Sequence, residues 1–225
     1  MDSLPMAMAK TPERILVIRL GSLGDVILTT PVLSSLQAHW PGTQIDLAVK
    51  MEYADLFTED PRVNSLRVFD SRGEHRGLSG LLRFISGLRD TGYDLVLDLH
   101  RNLRSFVIRL GLPWSRKVVY RKDILRRRLL TWRGPHKMKS GKEPRHTVQR
   151  YLDALSPLGF INGDTAPKIH LSPENIHWAE DYLKDVAEGK TILGIAPSAA
   201  WATKMWPGER FRAVAERARR ELSVR

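Results

Sequence analysis

An α/β fold built on a parallel sheet is predicted for this chain by three observations. Short runs rich in Val, Ile and Leu recur at ILVIRL (15–20), QIDLAVK (44–50), SLRVFD (65–70), YDLVLDLH (93–100) and KVVYR (117–121). Helix-like stretches separate them, around 31–39, 52–59, 79–91 and 103–111. Gly92 closes one of these helices and Tyr93 opens the next strand, as a helix-to-strand junction requires. Strands and helices in strict alternation argue for a parallel sheet with helices on both faces.

Taken in order, the first strand runs into a glycine-flanked turn over 21–29 that contains Asp25. Thr30-Pro31 then reads as a helix start, with Thr30 as cap and Pro31 at the first helical position. In 79–91, Leu81, Leu82, Ile85 and Leu88 recur at three- and four-residue spacing, which predicts one apolar face. TVQRYLDALSPLG (147–159) is a further amphipathic helix ended by Gly159. GDTAPKIHLSPEN (163–175) is turn-rich and aperiodic, so the domain boundary is expected there. Beyond it follow a helix over 176–188, a strand TILGIAP, and a helix over 208–222 with Phe211, Val214 and Ala215 inward.

The opening MDSLPMAMAKTPER lacks the apolar core of a signal peptide, so residues 1–12 read as a loose tail. Residues 13–165 then form a complete first lobe, and 166–225 the start of a second. A chain of 225 residues accommodates one domain of ~150 residues and part of another. Without cysteine there is no disulfide framework and no thiolate metal site, which favours a cytoplasmic setting. No apolar run approaches the ~20 residues that span a bilayer. The net charge of +11 is concentrated, since Arg116 to Arg145 holds twelve Lys/Arg against Asp123 and Glu143. Within it, Arg126, Arg127 and Arg128 stand beside Leu129, Leu130 and Trp132. Such a block attracts nucleic acid, an anionic membrane surface or a phosphorylated substrate, and a solvated basic loop is its bland reading. No helix-turn-helix, RNP-like or zinc spacing accompanies it, so nucleic acid is not expected as a partner.

In open α/β sheets ligands bind outside the carboxyl ends of strands, which is where Asp25 falls. A second strand-then-turn segment, IAPSAAWATKMWP (195–207), carries Lys204. GSLGD has neither the dinucleotide-binding nor the Walker spacing, and no Gly-x-Ser-x-Gly elbow exists. The histidines show no ligand spacing, so neither a metal site nor a cofactor is expected. What remains is a carboxylate able to act as a base and a lysine able to clamp a diphosphate. Each has an ordinary alternative, a capping aspartate and a surface lysine.

ILVIRLGSLGDVILTTPVLSSLQAHWPGTQIDLAVK resembles the amino-terminal motif of glycosyltransferase family 9, the ADP-heptose:lipopolysaccharide heptosyltransferases. YDLVLDLHRNLRS (93–105), HTVQRYLDAL (146–155) and IAPSAAWATKMWPGERF resemble three further passages of that family, in order, so the likeness spans roughly 13–222. The resemblance implies a GT-B architecture of two facing Rossmann-like lobes and inverting, metal-independent transfer from ADP-heptose to the lipopolysaccharide inner core. It implies Asp25 as general base, with Ser22, Leu23 and Gly24 lining the donor, and Ser198 and Lys204 meeting it from the second lobe. Arg126, Arg127 and Arg128 would face the anionic acceptor at the inner face of the inner membrane. Pro197-Ser198-Ala199 stands where the family has Pro-Gly-Ala, and the family's later Asp–Gly–His motif is absent. The chain therefore reads as truncated in its second lobe and by itself inactive. Two alternatives stay open, a lobe that binds an anionic acceptor or membrane without turnover, and a nucleic-acid-binding protein using 116–145.

Overall fold

A computed structural model describes residues 11–121, 145–160, 163–187, 189–199 and 202–222. They fall into two compact units, one ending at His170 and one beginning at Leu171. The triplet Arg126, Arg127, Arg128 and most of the basic block lie outside the described residues.

The first unit runs β1 (Arg14–Ile18), α1 (Leu23–Ile27), α2 (Thr30–His39), β2 (Gln44–Lys50), a 3-10 helix over Met51–Phe57 and β3 (Ser65–Phe69). It continues with α3 (Gly77–Arg89), β4 (Leu95–Asp98), α4 (Leu103–Leu110), β5 (Arg116–Val119), α5 (Thr147–Leu152) and a 3-10 helix over Asp153–Leu158. The strands lie in the order β3-β2-β1-β4-β5, each pair parallel. The chain steps outward from β1 to β2 and β3, then returns to lay β4 on the other side of β1. The carboxyl ends of β1 and β4 thus flank the point where the strand order reverses, the natural crevice of such a sheet.

The alternation in β1 shows why both faces are covered. Ile15 and Val17 pack with Val32, Leu33 and Leu36 of α2 and with Tyr151 of α5. Leu16 and Ile18 point the other way, to Leu81, Ile85 and Leu88 of α3 and Ile108 of α4. These four of the five β1 residues are fully buried, each contributing ~1.5–3 kcal/mol of apolar burial. A strand so placed must read as a continuous apolar run, as β1 does. Gly159, at φ 90°, ends the last helix of this unit in the left-handed conformation that glycine adopts without strain.

The structure corrects several expectations. Thr29, not Thr30, is the N-cap residue of α2, and neither threonine caps through its side chain; their hydroxyls donate to Val26 O and Ile27 O. These bonds back into the preceding turn arise because α1 runs almost directly into α2. On α3, Leu82 is 54% exposed and Phe84 takes its place in the core. The helix expected over 52–59 is a 3-10 helix.

The second unit contains α6 (Pro173–Ala187), a 3-10 helix at Ala202–Lys204 and α7 (Gly208–Leu222). The strand expected at TILGIAP is not formed, and 191–199 carries no ladder. A strand exists only through hydrogen bonds to a neighbour, and no strand occurs among the described residues of this unit. Neither α6 nor α7 has a buried residue, and Leu193, Ile195 and Val214 are exposed. The inward face expected for α7 is reduced to a half-buried Phe211 and Ala215.

Candidate functional site

β1 delivers the chain to the sheet's carboxyl edge, where Gly21 lets the backbone turn past Tyr53; a Cβ on Gly21 would meet that ring at 3.0 Å. Ser22 is the extended N-cap residue of α1, and Leu23, Gly24 and Asp25 form its first turn. Ser22, Leu23, Gly24 and Asp25 are therefore brought together, the first three exposed. Asp25 keeps 38% of its side chain exposed, while Val26 beside it is buried and anchors the helix.

Asp25 is not alone. Arg19, one residue past β1 and 6% exposed, places Nη2 2.5 Å from Asp25 Oδ2. Its Nη1 donates to Leu99 O at 2.7 Å, just past β4. The guanidinium also sits 5.6 Å from the centre of the Tyr151 ring, a cation–π distance. Ser22 Oγ donates to Asp25 Oδ2 at 3.1 Å. Both protein donors thus fall on Oδ2, and Oδ1 takes no hydrogen bond from the described residues. The result is a carboxylate fixed by one oxygen and open at the other, able to receive a proton from a group approaching from solvent. Burial pushes the Tyr151 hydroxyl well above the usual tyrosine range, opposed by Arg19 and reinforced by Asp25.

A second carboxylate builds the floor. Asp98, at the end of β4 and fully buried, accepts from the backbone N–H groups of His100 and Arg101 at 2.9 and 2.8 Å. It also accepts from Ser105 Oγ at 2.9 Å and faces Arg109 Nε at 2.8 Å. A buried carboxylate with this many donors is structurally satisfied. It holds the turn from Leu99 to Asn102, where Arg101 adopts φ 47° and Asn102 caps α4 in a box with Ser105. That turn presents Leu99 O to Arg19, so Asp98 supports the Arg19–Asp25 pair indirectly.

Ser198 and Lys204 lie in the second unit, both exposed, with Lys204 ending the 3-10 helix at Ala202–Lys204. Among the described residues no group of three His, Cys, Asp or Glu is placed to hold a metal ion, and no helix is long and apolar enough to cross a membrane. Sequence reading passed over Arg19, whose signal was an arginine inside an otherwise apolar strand run. It also passed over Asp98, which looked like one more strand residue.

A family model described as glycosyltransferase family 9 (heptosyltransferase) matches residues 81–224. Lipopolysaccharide heptosyltransferase 3 of Escherichia coli K12 is 26% identical over 201 residues, covering 84% of this chain and 55% of the relative. The solved glycosyl transferase family 9 protein of Veillonella parvula superposes with TM-score 0.75 at 26% identity, over 95% of this chain and 62% of the other. E. coli heptosyltransferase WaaC with ADP gives TM-score 0.61 at 22% identity, over 94% of this chain and 65% of that one. The chain spans about half the length of the curated relatives it matches. Its five-stranded unit has the α/β fold of one GT-B lobe.

Proposed function

The chain belongs to glycosyltransferase family 9, and from that membership we propose that it serves transfer of heptose from ADP-heptose to the lipopolysaccharide inner core, with Asp25 as general base. The observation that carries the reading is the half-exposed Asp25 carboxylate at the strand-order reversal, gripped through Oδ2 by buried Arg19 and open at Oδ1. In the proposed step an acceptor hydroxyl gives its proton to Asp25 as its oxygen attacks the anomeric carbon. The bond from that carbon to the diphosphate breaks, and ADP departs with the electron pair. A single displacement of this kind inverts the anomeric centre and needs no metal ion. Lys204 is proposed to meet the charge that grows on the diphosphate, and Ser22, Leu23, Gly24 and Ser198 to line the donor. Arg126, Arg127 and Arg128 are proposed to face the anionic acceptor. A cytoplasmic protein, peripheral at the inner face of the inner membrane, fits such an acceptor.

The test is Asp25→Asn, assayed in the full-length form with ADP-heptose and heptose-deficient lipopolysaccharide. Asparagine keeps an oxygen for Arg19 and Ser22, so circular dichroism should be unchanged while transfer falls by ~10²–10⁴, the usual effect of losing a general base. Turnover near the parent's would remove Asp25 from the mechanism.

A further inference from the structure

The outer face of α4 carries an apolar stripe that the fold leaves open. Leu103 is 79% exposed, Phe106 45% and Leu110 62%, and Trp114, just past the helix, is 96% exposed. At ~100° per residue the three helical positions share an arc of roughly 60°, opposite the buried Ser105 and Ile108. The helix is therefore amphipathic twice over, with one apolar face on the sheet and a second turned to solvent. Scattered exposed leucines are ordinary, but three aligned apolar side chains with a wholly exposed tryptophan four residues further on are the kind of apolar surface that marks contact sites.

The charge around the ridge says what it contacts. From Leu99 to Arg121 the sequence holds six Lys/Arg and no Asp or Glu, and of these six Arg109 is paired with the buried Asp98. Arg101, just before the N-cap of α4, and Arg104, in its first turn, are exposed. Two copies meeting through this face would press like charges together, which argues against self-association. A nucleic acid would use the arginines and gain nothing from Leu103 and Leu110. A bilayer with anionic headgroups uses both, since apolar side chains enter the headgroup boundary, tryptophan favours that boundary, and Lys/Arg meet the phosphates.

We infer that α4 and Trp114 form a docking surface for an anionic lipid bilayer. The helix lies flat in the interface, with Leu103, Phe106, Leu110 and Trp114 turned toward the acyl chains. Its first turn sits at the sheet edge that carries Asp25, because Leu99 O, four residues before Leu103, binds Arg19. Docking would hold that edge against the lipid surface. The inference rests on the peripheral membrane location proposed above and names the surface that would hold the chain there; vesicle binding tests it separately from transfer, so it stands whether or not Asp25 is a base.

The experiment is cosedimentation of the chain with vesicles of phosphatidylcholine alone or mixed with phosphatidylglycerol. Binding is expected to the mixed vesicles only. Phe106→Ser with Trp114→Ser leaves every charge in place and should lower the partition coefficient about ten-fold or more, with the circular dichroism spectrum unchanged. Leu103→Ser with Leu110→Ser, on the same ridge, should act in the same direction. If these variants bind mixed vesicles as the parent does, the basic residues act alone and the inference is wrong. Absence of binding to mixed vesicles overturns it as well. So does a dimer in sedimentation velocity that the variants dissociate while vesicle binding persists, since the ridge would then be a self-interface.

Discussion

Replacing Arg62 by methionine should be among the most damaging single changes in the first unit. Arg62 is buried and pairs with Asp60 through two contacts, Nε to Oδ1 at 2.8 Å and Nη2 to Oδ2 at 2.6 Å. It also donates to Ser34 Oγ at 2.7 Å and to Lys168 O at 2.9 Å. Methionine fills similar length but leaves the Asp60 carboxylate, with no exposed side-chain surface, without a counter-charge. Breaking one half of a buried pair costs about 3–5 kcal/mol, against a total stability of roughly 5–15 kcal/mol for a domain. At ~2–4 °C per kcal/mol for a chain of this size, Tm should fall by roughly 6–20 °C. Asp60 Oδ1 also accepts the Arg62 backbone N–H at 3.0 Å, so the compensating change is Asp60→Asn, which keeps that acceptor. The double variant Asp60→Asn/Arg62→Met should recover all but about 1–2 kcal/mol, the residue of lost neutral hydrogen bonds. Urea titration followed by circular dichroism measures both. A single-variant loss below about 1 kcal/mol, or equal losses in single and double variants, would refute the reasoning. A separate signature is local. Lys168 N donates to Thr30 Oγ1 at 3.0 Å, so Arg62 and Thr30 together pin the segment just before His170. Proteolysis within 163–170 should therefore accelerate in Arg62→Met even well below its Tm.

Three further outcomes are expected. Burial, then hydrogen bonding to Asp46, pushes the Tyr93 hydroxyl above its usual range, and burial does the same to Tyr151. Their unfolded counterparts ionise near ~10, so the unfolded chain sheds protons first and stability, intact below ~pH 10, must fall as pH rises beyond it; absorbance at 295 nm should show two of the five tyrosines titrating only with unfolding. Gly111→Ala should destabilise by ~1–3 kcal/mol in urea titration, because an added Cβ runs into the buried Ile85 side chain where α4 meets α3. Lys204→Ala should weaken ADP binding about ten- to hundred-fold in calorimetry on the full-length form, the range of a hydrogen bond to a charged group, and an unchanged affinity would make Lys204 an ordinary surface residue.

The sheet was legible because its signal is local. β1 and β4 are runs of Val, Ile and Leu, and β1 is buried on both faces, so composition and geometry agree there. Helix α3 was legible for the same reason, save that Leu82 satisfies the spacing rule yet lies just outside the buried arc. TILGIAP failed because strand propensity is only half of a strand; the other half is a ladder supplied from elsewhere in the chain. Around Asp25, the carboxylate was legible in the sequence and the arginine that holds it was not. Arg19 meets Leu99 O across 80 residues, and Arg62 meets Lys168 O across 106. No window of sequence holds both ends of such contacts.

The pairing of Arg19 with Asp25 also limits how Asp25 can act. A lone surface aspartate in a turn could present either oxygen in any direction. Here the guanidinium spans two fixed points, Leu99 O on one arm and Asp25 Oδ2 on the other. Arginine can do this because its donors form a rigid planar fork, whereas a lysine offers one point charge on a flexible stem. The fork is itself immobilised by burial and by the Tyr151 ring. Under the transfer proposed above, Oδ1 would be the oxygen that accepts the proton, and the acceptor hydroxyl would approach from the side away from Arg19. The helix that bears Asp25 is only five residues long, and its N-cap Ser22 and first residues Leu23 and Gly24 are exposed. A short, glycine-containing turn backed by a buried arginine combines an exposed approach with a carboxylate held in one orientation. A capping aspartate would instead spend its oxygens on backbone N–H groups, and α1 shows no side-chain cap of that kind. That contrast is the physical reason to read Asp25 as a reacting group rather than a structural one.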